Sequence, residues 1–315
     1  MNPNENTEFC STSTSTSSSS LNDEPNKPNW ELLKETLGDG ALSALKEHLE
    51  GIEQELLSNK TIDDRNESSN IRLDPDGDGD GDGDGGTHSK SNYLPKQNTT
   101  YAKQEYWEER FASEDDFEWL VSYDDVKSQI KGYLTPKSRI LIVGCGNSNF
   151  SSDLYDDGYT NIVNIDYSQN VIEKMKLKNS HRNKMTWVVM DMTNMNPFSN
   201  ESFDVVIDKA AMDAIMTEEN DVWNPDENVI HMARLMCQHI SRILVPNGYH
   251  LHISFAQPHF RKKYLLGLHN QNQIESHHDD NYSKEFQWDF KVETIGNSDS
   301  GCFHHFLYIM QKLKS

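Results

Sequence analysis

Arg139-Ile-Leu-Ile-Val-Gly-Cys-Gly-Asn-Ser148 decides how the rest of the chain is read. Ile140 to Val143 is a short apolar run that enters Gly144-Cys145-Gly146 without a break. Four consecutive aliphatic residues predict a buried strand, and the glycines predict a tight turn at its carboxyl end. Asp166 follows the first of these glycines by 22 residues and closes a second apolar run, Ile162-Val-Asn-Ile165. In a doubly wound sheet both features fall on the carboxyl edge, where a nucleoside docks and an acid accepts from ribose hydroxyls. The pair predicts a site for an adenosine-containing cofactor.

Working outward, strands and helices alternate. Helices are expected at Val126–Leu134, Phe150–Tyr155 and Val171–Leu177, and strands at Met185–Met190 and Phe203–Ile207. Val229, Met232, Met236, His239, Ile240 and Ile243 recur at helical spacing within 228–244, and Pro246-Asn247-Gly248 stops that helix. A fifth strand is expected at Tyr249–Phe255, then two late strands at 286–295 and 303–311 with little helix between them. The pattern predicts an α/β fold: a doubly wound, mostly parallel sheet of seven strands with an antiparallel edge hairpin.

The first hundred residues read differently. Ser11 to Ser20 is an unbroken Ser/Thr tract, and residues 1–29 have too little apolar surface to offset the entropy of ordering. Trp30, Leu33, Leu37, Leu42, Leu45, Leu49, Ile52 and Leu56 predict a helical segment at 30–57. Asp76 to Gly85 alternates Asp and Gly, but no Glu stands at the twelfth position of any calcium-loop frame, so a solvated linker is expected. The division is a low-complexity, mostly disordered extension at 1–100 and a folded domain at 101–315. Net charge is -22, and both parts are acidic, which argues against nucleic acid as a partner. Cys10, Cys145, Cys237 and Cys302 show no paired spacing, as expected of free thiols in a reducing compartment. No run is long enough to span a membrane and no secretory or transit signal is visible, so the expectation is a cytoplasmic protein.

The glycine turn narrows the cofactor. A dinucleotide fingerprint would carry a third glycine where Asn149 stands, and no Gly-Lys-Ser/Thr follows for a P-loop. Residues 101–315 resemble a class I S-adenosylmethionine-dependent methyltransferase. The resemblance rests on Val143-Gly-Cys-Gly146, Asp166, Asp191 after the third strand, Phe203-Asp-Val-Val-Ile-Asp208, and Leu244-Val-Pro-Asn-Gly248. Glu105-Tyr-Trp-Glu-Glu-Arg-Phe111, Phe117-Glu-Trp119, Ile165-Asp-Tyr-Ser168, Met212-Asp-Ala214, Pro258-His-Phe-Arg261 and Phe303-His-His-Phe-Leu-Tyr308 are similar to a narrower group. That group comprises the lysine methyltransferases acting on translation elongation factor 1-alpha.

The resemblance implies a Rossmann-like fold and S-adenosyl-L-methionine as cofactor. It implies cofactor contacts at Trp107, Phe111, Trp119, Gly144, Asp166, Tyr167, Asp191, Met192 and Lys209. It also implies a protein substrate, elongation factor 1-alpha. A monomer is expected, and the charge and the lack of a spanning run predict no nucleic acid or membrane partner. The chain departs from the group's pattern at Phe111, usually Tyr, and at Asp208-Lys-Ala-Ala211, usually Glu-Lys-Gly-Thr.

An acceptor lysine must shed a proton before it attacks, since its unperturbed pKa is about 10.4. Asp208 and Asp213 are the candidate catalytic groups to orient or deprotonate it. Trp107, Trp119 and Tyr167 are candidate walls of a dry pocket that would lower the amine's pKa and attract a sulfonium. No metal is expected: His250, His252 and His259 lack a Cys or carboxylate at ligand spacing, and His277-His-Asp-Asp280 reads as a polar loop. Three alternatives stay open: a citrate-synthase type of lysine methyltransferase, an enzyme with a small-molecule acceptor, and a non-catalytic binding module that kept the fold.

Overall fold

The computed structural model describes residue 95 and residues 97–218, 225–268, 281–296 and 304–314. The expected helix at 30–57 and the Asp-Gly repeat lie outside the described residues.

Ile140–Val143 forms β1 and Ile162–Asp166 forms β2, with every residue of both buried. Met185–Val189 is β3, Phe203–Lys209 β4 and Leu244–Ser254 β5. These five run parallel in the order β3-β2-β1-β4-β5. The chain leaves β1 in one direction to build β2 and β3, then returns to place β4 on the other side of β1. That reversal opens a crevice above the carboxyl end of β1, the position where ligands bind in such sheets. The sheet continues through β8 (His305–Lys312), β7 (Trp288–Ile295) and β6 (Tyr282–Ser283), all antiparallel to their neighbours.

Among the described residues the sheet has eight strands rather than the expected seven. The extra one, β6, is two residues long, and two residues carry no readable alternation. Pro246-Asn247-Gly248 stops the preceding helix as expected, but lies within β5 as an irregularity rather than before it. Phe203 pairs with Leu244 and Val205 with Tyr249, so the intervening residues are accommodated as a bulge with Asn247 at φ 64°.

Because side chains alternate across a strand, each strand feeds two cores. Ile140 and Ile142 face one layer, with α1 (Gln104–Ser113), α2 (Tyr123–Ile130), α3 (Phe150–Asp156) and α4 (Gln169–Lys178) over it. Leu141 and Val143 face the other layer, with α5 (Ala211–Met216), α6 (Glu227–Ile243) and α7 (Pro258–Leu266) over it. Helix α6 buries Val229, Met236, Ile240 and Ile243 as its periodicity predicted, with Ala233 and Cys237 in the same stripe, while Met232 and His239 are half-buried. Helices α5 and α7 were not expected from the sequence. Both carry polar and charged residues that this fold turns inward. None of the described helices is long and apolar enough to cross a membrane.

Candidate active site

The chain turns off β1 with Gly144 at φ 56° and Gly146 at φ 52°, a left-handed conformation that only glycine adopts freely. At Gly144 close approach adds a second demand: a Cβ there would lie 2.5 Å from the Cβ of Ala211, the first residue of α5. Asp166, at the end of β2, holds this turn. Its Oδ2 accepts from the Gly146 N–H at 2.9 Å and its Oδ1 from the Ser168 N–H at 3.0 Å. The carboxylate is 4% exposed, and burial pushes its pKa up to about 6. A carboxylate offers about four acceptor positions, so these bonds leave acceptor capacity for further donors. Ser168, not Asp166, caps α4, accepting from the Val171 N–H.

One wall is aromatic and comes from residues 98–121. Trp107 and Phe111 stack at 5.4 Å, and Trp107 meets Trp119 edge-on at 5.8 Å. The Arg110 guanidinium lies 4.8 Å from the rings of both Phe117 and Trp119 and is bound to Glu114. Polar bonds pin this segment to the sheet edge. Glu108 accepts from Ser168 Oγ and from the Gln169 N–H, and Gln104 donates to the Tyr167 carbonyl. From β4, Lys209 reaches back to Glu118 Oε1 at 2.5 Å and to the Trp119 carbonyl at 2.8 Å. Burial pulls the Lys209 pKa down while Glu118 holds it up, so the ammonium is kept by its pairing.

Together these parts enclose a cavity of about 500 Å³. Trp107, Phe111, Trp119, Gly144, Asp166, Tyr167, Asp191, Met192 and Lys209 all line it. The Trp119 Nε1–H is buried in the wall and has no hydrogen-bond partner among the described residues. Asp191, beyond β3, accepts from the N–H and hydroxyl of Thr193, which fixes its carboxylate.

The cavity continues past β1 toward β4 and β5, where Asp213, Ala214, Met232 and Phe255 line it. Asp213 is fixed by two donors on one oxygen: Ser254 Oγ at 2.6 Å and Arg261 Nη2 at 2.7 Å, both to Oδ1. Among the described residues its Oδ2 receives only a long contact of 3.4 Å from the Phe255 N–H.

Asp208 does not join them. It is fully buried beneath the cavity floor, where Oδ1 accepts from the Ala211 and Met212 N–H groups that open α5. Its Oδ2 lies 2.7 Å from His252 Nδ1. His250 is also enclosed in β5, against Trp288, and burial drives its pKa down to about 3. Among the described residues, no group of three or more His, Cys, Asp or Glu side chains is arranged to hold a metal. Cys145 lines the cavity, but burial keeps its thiol well above the usual range and so protonated.

Sequence reasoning missed Glu108, Glu118, Ser254 and Arg261 as builders of the site. Each acts through a bond to a residue dozens of positions away, and sequence spacing carries no signal of that kind.

Residues 141–251 match the methyltransferase domain family. The chain is 31% identical over 222 residues to "EEF1A lysine methyltransferase 4" of Mus musculus, an alignment covering 70% of this chain and 79% of that protein. It is 39% identical over 175 residues to "eEF1A lysine and N-terminal methyltransferase" of Homo sapiens, covering 55% of this chain but 24% of that longer protein. Among solved structures, the N-methyltransferase NodS from Bradyrhizobium japonicum is 14% identical at a TM-score of 0.45, over 69% of this chain and 100% of that one. The chain belongs to the family of EEF1A lysine methyltransferases, as an S-adenosylmethionine-dependent enzyme.

Proposed function

We propose that this protein methylates a lysine side chain of translation elongation factor 1-alpha, acting as a cytoplasmic monomer without nucleic acid or membrane. One observation carries the reading. A single cavity joins a turn and acid suited to an adenosyl group, under β1 and β2, to a second buried acid, Asp213, on the side of β4 and β5. The names of the relatives support the acceptor. The cavity is lined almost wholly by the unit proposed at 101–315, with Asn98 joining it from the extension proposed at 1–100.

The residues present fit S-adenosylmethionine. The spare acceptor positions of Asp166 suit a ribose diol. Asp191 and Met192 suit an adenine ring with Tyr167 beside it, and the orphan Trp119 N–H suits a carboxylate. Trp107 and Phe111 offer π faces to a positive centre, and Lys209 braces the wall behind them. When bound, the cofactor supplies an already activated methyl group, so the protein's part is alignment and proton management. Asp213 Oδ2 is the open acceptor for an ammonium proton. Phe255, exposed on the rim, gives the lysine stem an apolar surface to slide along.

Full-length protein incubated with methyl-labelled cofactor and purified elongation factor 1-alpha is expected to label one lysine-bearing peptide, found by mass spectrometry. Label on other proteins alone would redirect the acceptor to another lysine, and label on small molecules alone would remove the protein acceptor.

Acid should weaken cofactor binding. The ribose diol needs the Asp166 carboxylate as acceptor, and that group protonates as pH falls through about 6. Below that pH the dissociation constant is expected to rise about tenfold per unit, and to be flat above it. Calorimetric titration across the range checks this, and a flat profile down to about pH 5 contradicts it.

A further inference from the structure

Arg261 is an expensive residue to bury. It is 3% exposed, and its Nε–H has no hydrogen-bond partner among the described residues. An incompletely bonded guanidinium in a protein interior opposes folding unless its charge is matched, and here Asp213 matches it at 2.7 Å. The pairing is one-sided: Arg261 and Ser254 both occupy Oδ1, and among the described residues Oδ2 has the long Phe255 N–H contact alone, which leaves it room for a further donor.

The arrangement matters because of what Asp213 would do alone. An unneutralised carboxylate beside a lysine favours the ammonium and raises its pKa, which works against a reaction that needs the free amine. A carboxylate whose charge is balanced keeps its lone pairs for orientation but loses most of its pull on the proton. Resting on the proposal that Asp213 receives the acceptor lysine, we infer that Arg261 is a positioning residue that balances Asp213 so that Oδ2 orients the acceptor amine without stabilising its ammonium form. One proton leaves the ammonium for water at the cavity mouth, the nitrogen keeps the electron pair, and Oδ2 accepts a hydrogen bond from an N–H that remains.

Other groups face Asp213. From β5, His252 Nε2 lies 4.0 Å from Oδ1, with Asp208 of β4 on its far side. From β8 comes Tyr308, whose hydroxyl donates to the Ala256 carbonyl and whose pKa burial pushes up, so it stays neutral. From α7 comes Arg261, the full positive charge set directly against Asp213 by its pairing.

The test is the pH dependence of methyl transfer to elongation factor 1-alpha by the full chain. Arg261→Gln keeps a donor for Oδ1 and removes the charge, whereas Arg261→Lys keeps the charge. In Arg261→Gln the acidic limb of the rate profile is expected to move up by about one pH unit or more. Its rate at neutral pH should then fall about tenfold or more, and recover toward wild type in alkali. Cofactor affinity by calorimetry should not change, and Arg261→Lys should restore the wild-type limb. An equal loss at every pH, with the limb unmoved, overturns the inference in favour of a structural role. If Arg261→Gln does not fold, a shifted limb in Arg261→Lys overturns it.

Asp213→Asn separates this failure from that of the underlying reading. If Asp213→Asn is impaired while the Arg261→Gln limb stays put, only Arg261 is misjudged. If Asp213→Asn keeps the wild-type rate and profile, or wild-type protein transfers nothing to the elongation factor at any pH, both readings fall.

Discussion

Asp166→Ala is expected to raise the dissociation constant for S-adenosylmethionine at least about 100-fold while leaving the melting temperature nearly unchanged. Two ribose hydroxyls donating to a carboxylate contribute about 1.5–3 kcal/mol each, and about 1.4 kcal/mol is a factor of ten. The stability side follows from the raised pKa. Folding lifts this carboxyl from 3.8 to about 6, so at neutral pH the folded protein carries a cost on the order of 3 kcal/mol for an ionised buried acid. Alanine removes that cost. It also orphans the Gly146 and Ser168 N–H groups, at about 1–3 kcal/mol each, and the two effects largely cancel.

The sign of the pH effect separates this account from a purely structural Asp166. A raised carboxyl pKa makes the ligand-free wild-type protein more stable as pH falls from about 6 toward the unfolded value near 4. In Asp166→Ala that gain should vanish. Calorimetry at neutral pH and melting curves on both sides of pH 6 read the two quantities separately. Retained cofactor affinity in the variant would remove the ribose contact and with it the reading of the whole cavity.

How much of this was legible follows from how local each signal is. The β1 run, its two glycines and the acid closing β2 could be read because a strand buried on both faces is continuously apolar and a left-handed turn demands glycine within two residues of its end. Asp208 and Lys209 mark the limit. Both stood as candidates, yet neighbours on a strand point to opposite faces, so they could not share one environment. The pattern alone does not say which face meets the cavity; that depends on which helices cover each side. Here Lys209 turns to the aromatic wall and Asp208 into the layer beneath α5 and α6. Arg261 was quoted for its family likeness, but its bond to Asp213 spans 48 positions and has no sequence signature. Helix α5 is six residues long and follows Ala210 at φ 67°, a conformation that propensity assigns to glycine or asparagine.

That left-handed Ala210 needs something to hold it, and Asp208 is what does so. The second large effect is therefore expected at Asp208→Ala, as lost stability. One carboxylate closes three contacts: two N–H groups at the start of α5 and the ring of His252. Burial on its own would push this acid's pKa up, but His252 and the α5 N–H groups outweigh it and hold the pKa below the usual carboxylate range. A depressed carboxyl pKa means the ionised form contributes stability at neutral pH, lost only as pH falls through the folded value. Removing one partner of such a buried pair costs about 3–5 kcal/mol, since His252 and two N–H groups are left without an acceptor. For a domain of this size that lowers the melting temperature by roughly 6–20 °C. Activity should follow the folded fraction, with some loss besides, because α5 carries Asp213. Thermal melts with far-ultraviolet circular dichroism decide the matter. A variant that melts within about 2 °C of wild type yet transfers no methyl group would return Asp208 to the chemistry and take away its role as the cap of α5.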